Sequence, residues 1–168
     1  MKKKKNGPII LVLAIVILIV GYYFYSVKPP AAPNESANSP AVQSAPAGAI
    51  PLSAPGGQMF VFVATTSADQ EEGLSGRQSL PADQGMLFVF DQPGSYEFWM
   101  KDMNFPLDMV WINEDKTVAG VTADLSPDTY PDTFLPPNDI KYVLEINAGA
   151  AGEFGMATGT PLRFDVGQ

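Results

Sequence analysis

The hydrophobic pattern divides the chain into three parts. From Ile9 to Val20, twelve apolar residues follow one another without a break, and no charge occurs from Asn6 to Val27. At roughly 1.5 Å of rise per residue, a helix of that length spans about 33 Å, the thickness of a bilayer's hydrocarbon core. Residues 29–57 show no periodicity at all. From residue 58 onward the pattern changes again, to short apolar runs separated by turn-forming residues.

Those runs read as strands. Met59 to Thr65, Gly85 to Phe90, Tyr96 to Lys101 and Leu107 to Ile112 form the first four. Asn113 to Lys116 supplies a hairpin turn into a fifth, Thr117 to Ala123. Ile140 to Ile146 and Leu162 to Val166 complete the set. Thr66 or Ser67 caps a short helical turn, Ala68 to Glu72, that Gly73 stops. Ala148 to Phe154 predicts a second short helix. Ser126 to Asn138 contains four prolines and reads as a long loop. The prediction for residues 58–168 is an all-β domain, an antiparallel sandwich or compact barrel of jelly-roll type, with one or two short helices.

Charge sharpens the division. Residues 1–28 hold five lysines and no acid; residues 29–57 hold only Glu35; residues 58–168 hold 17 acids and five bases. Lysines before an apolar span belong on the cytoplasmic side, and the rings of Tyr22, Tyr23, Phe24 and Tyr25 suit the interface. The expectation is a single-pass anchor through residues 8–27, with the N-terminus inside and the rest outside the cytoplasm, periplasmic or extracellular. A cleaved signal peptide is the competing reading. The bulky residues after the apolar run disfavour it, because cleavage requires small ones. Residues 29–57, with eight Ala and seven Pro, bury too little apolar surface to order themselves and read as a stalk. The acidic outer part repels phosphate, so no nucleic-acid partner is expected.

The chain has no Cys and no His. Disulfides, thiol nucleophiles, imidazole bases and His/Cys metal sites are thereby excluded. Chemistry narrows to carboxylates, Lys101, tyrosines and thioethers.

The stretch LSGRQSLPADQGMLFVFDQPGSYEFWMKDMNFPLD, Leu74 to Asp108, resembles the DUF192 family, also called UPF0127. It carries an R-x-x-L-P element, then G-M-L-F-x-F, then F-W-M-K-x-x-x-x-P-L-D. A Y-V-L-E-x-x-x-G element at Tyr142 to Gly149 and the closing Gly159 extend the match over residues 58–168. The resemblance implies a sandwich-like β fold and no established activity. Where the family often has Asn, this chain has Asp102.

Arg77, Lys101, Asp108 and Glu145 are charges set inside apolar motifs. Period two places Leu107, Met109 and Trp111 on one face of a strand and Asp108 and Val110 on the other. A buried Asp needs a partner, and Arg77 suits bidentate pairing, so Arg77–Asp108 is the candidate structural pair. The candidate ligand-binding surface combines Arg77, Trp99, Lys101, Asp102 and Asp108. Tyr96, Trp99 and Trp111 offer rings for stacking, with core packing the plainer role. Asp91, Asp102, Asp108 and Glu145 are the acids from which a glycosidase pair would be drawn. Met86, Met100, Met103 and Met109 fit core packing better than copper, and Asp128, Asp132 and Asp139 match no EF-hand spacing. No metal or cofactor is expected. A binding or accessory domain is favoured over a carboxylate-dependent hydrolase acting on an extracytoplasmic substrate such as a carbohydrate. A purely structural domain is the third reading.

Overall fold

Alternation along the strands builds the domain. The computed structural model describes residues 45–167. The elements are β1 (Ala49–Ala54), β2 (Gly57–Ala64), α1 (Ser67–Glu72), β3 (Gln84–Gly94), β4 (Phe98–Trp99), β5 (Leu107–Ile112), β6 (Val118–Leu125), β7 (Thr133–Phe134), β8 (Ile140–Asn147), α2 (Ala150–Glu153) and β9 (Arg163–Phe164). Seven strands form one sheet in the order β6-β5-β8-β3-β2-β1-β9, and β4 pairs with β7 in a sheet of two.

The domain is all-β, as the sequence predicts, but it is not two packed sheets. Its main sheet is curled into a half-barrel. The edges meet at one end, where Thr117 bridges Pro161 and Val118 N donates to Thr160 O at 2.9 Å. The sheet is also not wholly antiparallel: β2 and β3 run parallel. The connection 65–83, which contains α1, is long enough to carry the chain back to the same end of the sheet.

β1 lies inside the stretch 29–57 read as a stalk. Ile50 and Leu52 give it an alternating apolar face, with Leu52 wholly buried, and a tight Pro55–Gly56 turn folds it onto β2. Local composition concealed this strand because its order comes from pairing on both sides, with β2 and β9. The expected strand at 96–101 shrinks to Phe98–Trp99, since the backbone turns at Asp102 with φ 56°. The four-proline segment 126–138 is mostly loop, with a 3-10 turn at Pro127–Thr129 and the short β7.

Each face of the sheet carries its own core. One gathers Met59, Val61, Leu87, Val110, Ile112, Leu144 and Ile146. The other gathers Met86, Phe88, Met100, Leu107, Met109, Trp111 and Val143. The predicted period-two split of β5 is observed. Trp111 is 1% exposed and its indole N–H donates to Thr122 Oγ1 at 2.8 Å, so the ring is buried without an unpaired donor. Met86, Met100 and Met109 are buried core residues. The predicted anchor, residues 8–27, lies outside the described residues. Among the described residues no helix is long and apolar enough to cross a membrane.

Candidate functional site

Glu145 sits in the middle of β8, on the face it shares with Val143. Its register neighbours are Met86 on β3 and Met109 on β5, both apolar. It is 5% exposed, and among the described residues its carboxyl group has no hydrogen-bond or ion-pair partner. Burial in apolar surroundings disfavours the charged form and pushes its pKa up to about 8, so Glu145 is mostly protonated at neutral pH.

The carboxyl group lines a cavity of about 240 Å³ that opens to solvent. Five rings build much of the wall: Phe88, Phe90, Tyr96, Phe98 and Trp99. They brace one another. Phe90 and Tyr96 stack at 3.6 Å between centroids, and Phe98 stands edge-on to Phe88 at 5.0 Å and to Trp111 at 5.7 Å. Trp99 is 43% exposed, one of the few large apolar side chains in water among the described residues. Pairing of β4 with β7 fixes its backbone, with Trp99 opposite Thr133.

The remaining wall comes from α1 and the turn after it. Thr66 caps this helix by accepting from Asp69 N at 3.1 Å. Gln70 Nε2 donates to Val89 O at 2.8 Å and so ties the helix to β3. Gly73 ends the helix at φ 53°, a conformation that disfavours side chains. A Cβ there would lie 3.3 Å from the Phe88 ring and 3.9 Å from Glu145 Oε2. Gly73 therefore lets the helix end approach the buried acid. Gly85 has a similar role across the sheet, since its Cβ would meet Glu145 O at 2.8 Å. Exposed Glu71, Glu72 and Glu97 also line the cavity, and among the described residues no Lys or Arg does.

The residues singled out from sequence are dispersed. Arg77 and Asp108 do not pair. Arg77 is exposed, with its guanidinium 5.5 Å from the centre of the Phe62 ring. Asp108 is 1% exposed on the opposite face of the sheet from Glu145. Its Oδ1 accepts from Asp124 N at 2.9 Å and its Oδ2 from Ala151 N at 3.0 Å. Backbone donors from the β6 end and from α2 thus hold the carboxylate, and they remove any need for a guanidinium. Lys101 and Asp102 are exposed, and it is their carbonyls that are engaged: Ser75 Oγ donates to Lys101 O at 3.0 Å and Gly76 N to Asp102 O at 2.8 Å. The positive φ of Asp102 accounts for Asn or Asp there, the residues that best tolerate it. Of the five, only Trp99 lines the cavity.

Glu145 is legible as a charge inside an apolar run, but the surface favoured from sequence does not include it. Glu71, Glu72, Glu97 and the Phe88–Phe90–Phe98 wall gave no separate signal, because their convergence depends on the crossover and on the β4–β7 pairing. Of the four acids considered for a glycosidase pair, only Glu145 reaches the cavity.

A crystal structure from Sinorhizobium meliloti 1021, named as a candidate transcription regulator, is 29% identical with a TM-score of 0.63, covering 69% of this chain and 92% of that one. A protein of unknown function from Novosphingobium aromaticivorans DSM 12444 is 28% identical with a TM-score of 0.62, covering 68% and 83%. No curated protein matches the chain. The family model DUF192, described as "Uncharacterized ACR", matches residues 51–164, a span that runs from within β1 to the end of β9 and includes every wall of the cavity. The chain belongs to the DUF192 family.

Proposed function

We propose that this protein is a binding module whose site is the aromatic cavity around Glu145, held outside the cytoplasm by an N-terminal membrane anchor and a stalk. One observation carries the binding reading: the carboxyl group of Glu145, a residue only 5% exposed, makes no hydrogen bond among the described residues and keeps its oxygens open to a ring-lined cavity. A carboxyl group that lies deep in the fold yet turns its oxygens to a cavity instead of to a protein donor leaves its hydrogen bonds to a ligand. The anchor rests on the uncharged span 6–27 and the lysines before it. The strongly acidic composition of residues 58–168 favours a small-molecule ligand over nucleic acid, whose phosphates it repels.

Two measurements test this reading. After a carbonate wash, the full-length protein stays in the membrane pellet; release into the supernatant overturns the anchor. Titration with indole shifts the NMR signal of the Trp99 indole N–H and leaves that of buried Trp111 in place. Equal shifts at both, or none, overturn the cavity as the site.

The hydrolase reading keeps one supporting observation. Glu145 holds a proton at neutral pH, as a general acid must, and Glu71, Glu72 and Glu97 border the same cavity. Turnover of 4-nitrophenyl glycosides that disappears in Glu145→Gln would establish it. Absence of turnover leaves binding as the function.

A further inference from the structure

We propose that the ligand of this cavity is a small protonated amine with an apolar body, its ammonium N–H groups donating to Glu145 and its body enclosed by the rings of Phe88, Phe98 and Trp99. The inference rests on the reading of the cavity as a ligand site, and it names the ligand's chemistry.

Charge is the first argument. Among the described residues, every ionisable group on the cavity wall is an acid: Glu145 at its buried end, Glu71 and Glu72 from α1, and Tyr96 and Glu97 from the segment before β4. Among the described residues no cation from any element lines it. An anion would enter against this field, and a neutral molecule would gain nothing from it.

The rings are the second argument. An aromatic face attracts cations, and a set of faces around a cavity is how proteins hold ammonium groups without full hydration. Trp99, the strongest ring of this kind, stands 43% exposed at the cavity instead of in the core.

The unpartnered carboxyl group separates amines from quaternary ammonium. Glu145 is 5% exposed, and its carboxyl oxygens, open to the cavity, make no hydrogen bond among the described residues. A quaternary ammonium has no N–H and would leave it unpaired. A protonated amine supplies donors, and an ion pair with such donors is short and strong. A cavity of about 240 Å³ lies below the roughly 300–1,000 Å³ of sites for drug-sized ligands, so the ligand is small.

Binding then moves a proton. In the empty cavity at pH 7 Glu145 is mostly protonated. An ammonium at its oxygens favours the carboxylate, and the displaced proton leaves to solvent. Nearly one proton is released per amine bound at pH 7, and about none at pH 9, where Glu145 is already ionised.

Three probes that share a phenyl body and differ in charge test the proposal: 2-phenylethylamine, 2-phenylethanol and 3-phenylpropanoate. Each is titrated calorimetrically into the full-length protein in lipid nanodiscs at pH 7, in two buffers of different ionisation heat. The amine binds at least about tenfold more tightly than the alcohol, the carboxylate gives no heat, and the buffers report proton release. Glu145→Gln weakens the amine about tenfold and abolishes that release. Trp99→Ala, at an exposed position that leaves folding intact, weakens the amine about threefold or more. If the alcohol or the carboxylate matches the amine, the cavity is a ligand site but not one for cations, and this proposal alone falls. If Glu145→Gln binds the amine unchanged, its role as counter-ion falls. If none of the three binds at millimolar concentration, the proposal and the binding reading fall together.

Discussion

Two acids lie next to each other across the β5–β8 pair, buried to the same degree and used in opposite ways. Asp108 and Glu145 are 1% and 5% exposed, and Asp108 lies opposite Ile146, the residue after Glu145. Asp108 points to the face it shares with Val110 and Ile112 and receives two backbone N–H groups, from Asp124 and Ala151. Glu145 points to the other side, receives none, and keeps its proton to about pH 8 because burial penalises its charge. A carboxylate that completes the hydrogen bonding of two chain segments is an architectural part. A carboxyl group left unpaired beside open space is available to something from outside. Burial alone would have ranked the two together; the partners separate them.

The sharpest way to break this contrast is to remove the satisfied acid. Asp108→Leu fills similar space but strands the N–H groups of Asp124 and Ala151. A stranded buried donor costs about 1–3 kcal/mol; the Ala151 N–H is buried and the Asp124 N–H only partly so, which puts the loss in urea unfolding at about 2–4 kcal/mol. A loss below about 1 kcal/mol would place Asp108 with Glu145 instead of against it.

Glu145→Gln should act in the opposite direction, and only at higher pH. The folded-state pKa lies above the unfolded value of about 4.5. Between pH 4.5 and 8 the unfolded chain has released a proton that the native state still holds, so native stability falls as pH rises through that window. The total fall is on the order of a few kcal/mol. Melting temperatures taken at pH 5 and pH 8.5 should show this decline in the parent, and Glu145→Gln should remove Glu145's share of it. An equal decline in the variant would assign it to other groups.

Smaller effects mark the surface residues. Arg77→Ala gives up a cation–π contact with Phe62 at an exposed site, about 0.5–1 kcal/mol by denaturant unfolding. A change as large as that of Asp108→Leu would revive a pairing role for Arg77. Lys141→Ala breaks the ion pair with Glu114 at 3.2 Å, and with Glu114 well exposed the loss should stay below about 1 kcal/mol. A double-mutant cycle with Glu114→Ala isolates the pair.

Much of the fold was readable along the chain. β5 appears at its predicted bounds, Leu107 to Ile112, because six apolar-rich residues follow Pro106 and precede a clear turn. The cap and the Gly73 stop of α1 are local hydrogen-bond and φ requirements; residue type predicts the stop and narrows the cap to Thr66 or Ser67, and the fold uses Thr66. β1 was missed inside a Pro/Ala-rich stretch, since its two neighbours in the sheet, β2 and β9, include one about 110 residues away. The parallel β2–β3 pairing was missed for a related reason: strand direction follows from the path of the connection, not from the strands' own residues.

The candidate site was harder to read. The motifs R-x-x-L-P and F-W-M-K drew attention to the charges of Arg77, Lys101 and Asp102. In the fold those segments are joined largely through backbone: Asn104 Nδ2 donates to Arg77 O at 2.9 Å, and the carbonyls of Lys101 and Asp102 receive Ser75 and Gly76. The motif positions the cavity wall more than it supplies the cavity's chemistry.

The sequence by itself determined the membrane-length apolar span, the sign of charge on each side of it, the all-β class and the face on which Asp108 lies. These follow from runs and periods within one segment, and local order suffices to express them. Only the tertiary structure decided that backbone donors, not Arg77, satisfy Asp108, and that Glu145 has rings and open space before it instead of a partner. Those outcomes depend on which distant segments converge on each carboxyl group, and no local spacing encodes that convergence.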